Sequence, residues 1–414
     1  MPQLPSPPRW KSWIAALATL ATLSGVSRAQ DFTMMVTNPN PLGLGSFVPR
    51  GADIDLGIKG SFKGDYSYGI GVQSVYNSNF FESPSDEECE LSTYFSPWFH
   101  YTSDPEGGAM ISLTANYLPS YRAYLENSDL NGLDQSGDVA VSFVGSRTQL
   151  DVFGRYTQLS GTDRLTGDFV EGTVATAGIR LDRQVGARTS MNASFTASQS
   201  DYGSSTNEGS DIYTAMLGGF WAATERLSFG PTLRYTLSKS DNIGERDAWG
   251  LLFAVNYRVG ERILLAAAVG PEYSKYSGSS GNDESDFSVT GDLSATYVIN
   301  ELWTWRNSIN SAVVPSPDQQ NSVINNVAIS TSLQRQLVRG WLSGGIDYNL
   351  SGFEDVNTGD SSGSNENNIA VFLRYGRPLF SERLNFNSEI RYTFNEGEED
   401  WDQVQVGAGL NVAF

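Results

Sequence analysis

What narrows the fold most is a two-residue alternation held over unusually long stretches. From Leu227 onward, Leu227, Phe229, Pro231, Leu233, Tyr235 and Leu237 fall on one face, and Ser228, Gly230, Thr232, Arg234, Thr236 and Ser238 on the other. Strand side chains alternate between the faces of a sheet, so this is a strand with one apolar and one polar surface. Met191, Ala193, Phe195 and Ala197 repeat the pattern against Asn192, Ser194, Thr196 and Ser198. Leu384, Phe386, Ile390, Tyr392 and Phe394 repeat it against Asn385, Asn387, Glu389, Arg391 and Asn395. Such runs last about 10–14 residues. Ordinary globular strands average about 5–6, and a tilted membrane strand needs about 9–11.

The connections alternate between tight and long. Tight turns recur near 104–108, 145–146, 185–188, 224–226, 260–262, 300–302, 338–340 and 380–383, at a spacing close to 40 residues. This is an internal repeat of hairpins. Longer Ser/Gly/Asn/Asp-rich segments, such as 277–285 and 355–367, lie between them and read as loops. Eight tight turns separate nine hairpins, which gives about 18 strands from Tyr66 to Phe414, within a range of 16 to 20. A β-propeller shares this repeat length. Its blades pack four short strands into each period, whereas each period here holds two long strands that keep one face polar.

Residues 1–29 read as a cleaved signal peptide. Arg9 and Lys11 precede the apolar run 12–26 (SWIAALATLATLSGV), and small residues at Ser27 and Ala29 fit cleavage after Ala29. That run is short of the about 20 residues a spanning helix requires. Export permits disulfides, yet Cys89 is the only cysteine and has no internal partner. The formal net charge of −20 argues against nucleic acid as a partner, because phosphate recognition needs a basic surface.

At the carboxyl end Val404, Val406, Ala408, Leu410, Val412 and Phe414 alternate with Gln405, Gly407, Gly409, Asn411 and Ala413. An amphipathic strand closed by an aromatic resembles the signal read by the outer-membrane barrel-assembly machinery, with Phe414, Val412 and Leu410 as its contact positions. Hydrocarbon offers no partners to backbone N–H and C=O groups, so only a sheet without edges is stable there. The expectation is an all-β chain: a transmembrane antiparallel up-and-down barrel over residues 66–414. Residues 30–65 form a periplasmic lead-in or plug, and the location is the cell outer membrane.

The polar faces would line the lumen. They place Arg155, Arg180, Arg234, Arg258, Arg306, Arg374 and Arg391 there, with Asp151, Asp182, Asp292, Asp347 and Glu389. These charges either tune ion passage or pair across strands with no selectivity role. The long loops gather acids, among them Glu82, Glu87, Glu88, Asp129, Asp134, Asp286, Glu396 and Asp400, and the short turns carry Arg188, Arg226, Arg262, Arg339 and Arg383. A solvated loop surface explains the acids more simply than a cation funnel or a divalent bridge to lipopolysaccharide. Tyr235, Tyr257, Tyr273, Tyr297, Trp303, Trp305, Tyr348, Tyr375 and Tyr392 fall toward strand ends, as interfacial girdles require.

Catalytic signals are sparse. The single histidine, His100, sits among Trp98, Phe99 and Tyr101, which read as an interfacial belt. Cys89 and His100 are too few ligands for zinc. No phosphate loop, dinucleotide motif or nucleophile elbow occurs, so neither an enzyme nor a cofactor is expected.

Residues 117–137 (YLPSYRAYLENSDLNGLDQSG) and 154–167 (GRYTQLSGTDRLTG), with 72–81 (VQSVYNSNFF), resemble a β-barrel porin family associated with exopolysaccharide export. The resemblance implies an outer-membrane pore that passes a polysaccharide and meets polysaccharide export components, with no catalytic motif. Residues 31–50 depart from the family pattern. The expected function is a porin-like channel for passive passage of ions, small solutes or an exported glycan, embedded in lipid and lipopolysaccharide. The rival reading is a structural or adhesive surface barrel with a closed lumen.

Overall fold

The computed structural model describes residues 66–83, 87–103, 110–162, 169–202, 209–240, 244–277, 283–315, 322–355, 365–380, 383–397 and 400–414. The signal-peptide and lead-in readings lie outside the described residues.

Eighteen strands follow one another in chain order. They are β1 (Tyr66–Asn77), β2 (Glu90–Thr102), β3 (Ile111–Tyr124), β4 (Gly132–Val144), β5 (Thr148–Thr162) and β6 (Phe169–Gln184). Next come β7 (Thr189–Tyr202), β8 (Ser210–Ala222), β9 (Leu227–Ser240), β10 (Gly244–Val259), β11 (Ile263–Ser277) and β12 (Asp283–Val298). The last are β13 (Trp303–Pro315), β14 (Ser322–Leu337), β15 (Gly340–Asp355), β16 (Glu366–Pro378), β17 (Leu384–Glu396) and β18 (Trp401–Ala413). Each pairs antiparallel with its chain neighbours, and β1 also pairs with β18 from Gly69↔Ala413 to Asn77↔Gln405. That last ladder closes the sheet into a barrel and removes the edge. At the seam the Phe414 N–H donates to Tyr68 O at 2.9 Å, and the two rings stack with centroids 5.8 Å apart. The strand ends that flank the eight expected turns lie at one end of the barrel, and the remaining connections start from the other. At that other end β9 (to Ser240) and β10 (from Gly244), and β17 (to Glu396) and β18 (from Trp401), are also closely joined.

Which face is inside follows from how side chains converge. Arg391 on β17 reaches past β16 to Asp347 on β15 at 3.1 Å, and Arg234 on β9 reaches Thr290 on β12. Only a concave surface brings such distant strands together, so the polar face is the inner one. The opposite face carries Leu251, Phe253, Leu373, Ile390 and Val406, all strongly exposed. In water such a continuous belt would aggregate; facing hydrocarbon it is the expected surface of a spanning barrel. On β10 the outward Trp249 and Tyr257 bracket this belt at a separation of about 26 Å along the strand, or about 20 Å along the axis after tilt. That is close to the usual apolar height of about 25 Å.

One hairpin leaves the wall. The β4–β5 ladder stops at Gln135↔Gln158, while β5–β6 continues to Thr162↔Phe169. Ser160, Phe169 and Glu171 have the parity that faces outward lower on these strands, yet they meet Arg122, Asp134 and Tyr124, whose parity faces inward. The β5–β6 tip has therefore passed to the inner side of β4. It lies against that wall at the long-loop mouth.

Candidate functional site

The lumen wall is built from inward positions of all eighteen strands, and its charges are grouped rather than scattered. On β9–β11 the Glu272 carboxylate bridges two arginines, Oε2 to Arg234 Nη2 and Oε1 to Arg246 Nη2, each at 2.7 Å. On β15–β17 Arg374 pairs with Glu389 at 2.9 Å, and Arg391 lies between Glu389 at 3.4 Å and Asp347 at 3.1 Å. Both guanidinium groups lie over the inward Phe372 ring, at 4.6 and 5.2 Å from its centroid. On β4–β6 Asp151 accepts from Ser142 Oγ and from Gln149 Nε2, opposite Arg180, which pairs with Asp182 at 2.7 Å. Charges held in such pairs stay against the wall, because withdrawing either partner strands the other.

The twelve charged residues expected at the lumen all stand at inward positions of the ladders. Arg155 lies opposite Asp138, Arg306 donates to Gln334 Oε1 at 2.9 Å, and Arg258 lies opposite Leu264 near the short-turn end. Leu410, Val412 and Phe414 stand on the outer face, and so do the girdle aromatics of β9–β17. Asp134, grouped with the loop acids by sequence, instead lies inside the barrel against Arg122.

His100 and Trp98 correct the expected interfacial belt. The even-numbered positions of β2 turn inward, so only Phe99 and Tyr101 meet lipid. Trp98 is 8% exposed and its Nε1 donates to Asn411 Oδ1 at 3.0 Å. His100 stands opposite Ser67 of β1 and bonds through Nδ1 to Asn116 Oδ1. Asn116 Nδ2 is committed to Asp138 Oδ2 at 2.8 Å, so its oxygen faces the ring and Nδ1 carries the proton.

Sequence reasoning also missed an inner aromatic set. Trp98, Phe153, Trp341 and Phe372 each face directly across the ladder from a glycine: Gly69, Gly178, Gly376 and Gly345. A Cβ at any of these glycines would come within 2.6 Å of the ring. The rings therefore lie flat on the wall over bare backbone, where an upright ring would obstruct the lumen.

The long-loop mouth is partly filled from the β1–β6 side. Arg122 is fully buried and pairs with Asp134 at 2.6 Å, donates to Ser160 Oγ, and donates to Leu130 O at 3.1 Å. Ser160 Oγ in turn donates to Asp134 Oδ1 at 2.6 Å. The Arg122 guanidinium lies 5.4 Å from the Tyr124 ring and 5.2 Å from that of Phe169. Phe80, from the first long connection, packs on Tyr124 at 5.0 Å. Glu90 accepts the backbone N–H groups of Leu125, Glu126 and Asn127 at 2.8, 3.2 and 3.0 Å, which folds the β3–β4 connection over the inner face of β2.

No family model matches the chain, and no curated protein matches it. Solved structures resemble it in overall fold. Pseudomonas aeruginosa OccK2 (OpdF) is 13% identical across 84% of this chain and 98% of that one, at a TM-score of 0.47. The outer membrane protein opdK of the same organism is 15% identical across 84% and 99%, at 0.46. A BenF-like porin from Pseudomonas fluorescens Pf-5 is 11% identical across 86% and 100%, at 0.45. The likeness is one of fold alone.

Proposed function

We propose that this chain is an outer-membrane channel that lets ions and small solutes cross passively through its lumen. The observation that carries this reading is the division of one closed eighteen-stranded sheet into an apolar outer face and a charged, hydrogen-bonding inner face. Barrels of 16–18 strands are wide enough to hold an aqueous channel. The inward charges line the path in this reading: Arg155, Arg180, Arg234, Arg258, Arg306, Arg374 and Arg391, with Asp151, Asp347 and Glu389. The glycine-seated aromatics favour an open lumen over a closed scaffold, since a barrel filled by its own side chains gains nothing from rings pressed flat. Passage of an exported polysaccharide is the narrower form of this function, and the resemblance of residues 117–137 and 154–167 is what supports it. Purified protein in a planar bilayer is expected to give discrete open steps. Electrical silence of correctly folded barrel would overturn the channel and favour the structural or adhesive reading.

A further inference from the structure

Besides the mutually bonded Ser74 and Thr93 on β1–β2, polar side chains interrupt the apolar belt on the outer face of β12–β14. There Trp305 Nε1 donates to Thr331 Oγ1 at 2.9 Å, and Thr331 Oγ1 donates to Asn307 Oδ1 at 2.7 Å. The chain of bonds ends on the Asn307 carboxamide. Its Nδ2 has no partner among the described residues, and its Oδ1 keeps a second lone pair. Asn307 lies two and four residues above the girdle tryptophans Trp305 and Trp303, inside the band where lipid supplies neither donors nor acceptors. An unsatisfied amide there is costly.

A second, independent feature lies on the same strands. The β12–β13 ladder stops at Gly291↔Ser311. Phe287–Thr290 remain paired to β11, and Ala312–Pro315 to β14, but no ladder joins these two stretches. Alternate N–H and C=O groups of a strand point to each side, so this outer half of the seam has lost part of its backbone bonding. The outward side chains beside it are correspondingly bare: Phe287 is 68% and Val289 64% exposed, against 44% for Leu293 below the split. Directly opposite Asn307 the surface is also low, at Ala295.

From this combination we infer that the β12–β14 face docks a second copy of this chain, through an interface centred on Asn307. A second copy fits because the patch is self-complementary. All copies inserted in one membrane share an orientation, so a two-fold axis along the membrane normal brings Asn307 against Asn307. Each Nδ2 then donates to the free lone pair of the other Oδ1, while Thr331 keeps the first. Both amides are satisfied by one reciprocal pair. The small Ala295 lets the two walls approach, as small residues do where membrane segments pack. The weakened seam gains the support of a neighbouring wall. Lipid chains offer none of these bonds.

The interface rests on the membrane reading given above, and one experiment separates the two. Full-length protein carrying Cys89→Ser and Ala295→Cys is oxidised in native outer membranes, with Cys89→Ser and Phe253→Cys on β10 as the control surface. Heat-modifiable gel mobility reports folding of each variant. A disulfide-linked dimer well above the Phe253→Cys control is expected. Adding Asn307→Leu is expected to lower its yield by about fivefold to tenfold, the loss of one or two interfacial hydrogen bonds in lipid. Cross-linking no better than the control, an adduct with a different protein, or a yield indifferent to Asn307→Leu would each overturn the interface while leaving the channel standing. A chain that stays in the soluble fraction would overturn the membrane reading, and the interface with it.

Discussion

At Gly376 the nearest atoms a side chain would meet belong to the indole of Trp341, with a Cβ 2.6 Å from Nε1 and Cε2 and 2.9 Å from Cζ2. The tightest contacts are all with the ring and none with backbone, so Gly376→Ala tests the ring's position. Compressing the contact would cost about 1–3 kcal/mol. The expected response is that the indole swings off the wall into the lumen and single-channel conductance falls. Gly376→Ala combined with Trp341→Ala should recover the wild-type value or exceed it. Unchanged conductance in the single variant would mean that Trp341 does not border the path. Arg374, Glu389 and Arg391 follow from alternation within β16 and β17. Arg122 was within reach of that signal, since it shares parity with Ser120, but Pro119 and the tyrosines around it blur the period. Trp98, Phe153, Trp341 and Phe372 were out of reach, because each breaks the polar face and is excused only by a glycine on the next strand.

At the scale of the element, the β5–β6 tip depends on a few buried contacts that are not ladder bonds. Arg122 is the hub, joined to Asp134, Ser160 and Leu130 and seated on two rings. Arg122→Leu leaves the Asp134 carboxylate buried without its cation, a loss of about 3–5 kcal/mol for a pair of this burial. Amide hydrogen exchange is expected to quicken at 158–162 and 169–173, while β10 and β11 keep their protection. Removing both charges with Arg122→Leu and Asp134→Leu should restore part of the protection, because the unpaired charge is then gone. Exchange rising equally around the whole barrel would show that the tip is not a separate unit. Nothing in the spacing of β5 announces this departure from the wall. It arises where the β4–β5 ladder ends, and that end point is set by the neighbouring hairpin.

For the whole molecule, the two faces make opposite demands on substitution. Leu373, outward and midway along β16, should cost about 2–4 kcal/mol as Leu373→Arg, measured as the free energy of refolding into lipid bilayers. Ser332→Arg, inward on β14, should cost far less, since its head group stays in water. Equal penalties at both sites would remove the distinction between a lipid face and a wet lumen. The sequence by itself determined the strand count, the short-turn and long-loop ends, and the face on which nearly every side chain stands. It could do so because alternation is local: each residue's face depends only on its place along its own strand. The partners were decided elsewhere. Which arginine shares Glu272, which ring rests on which glycine, where the β5–β6 tip turns in, and which outer amide is left bare at Asn307 all depend on register between strands and on closure of the sheet. Register couples residues about forty positions apart, or at the β1–β18 seam across the whole chain, and no periodicity within one strand encodes it.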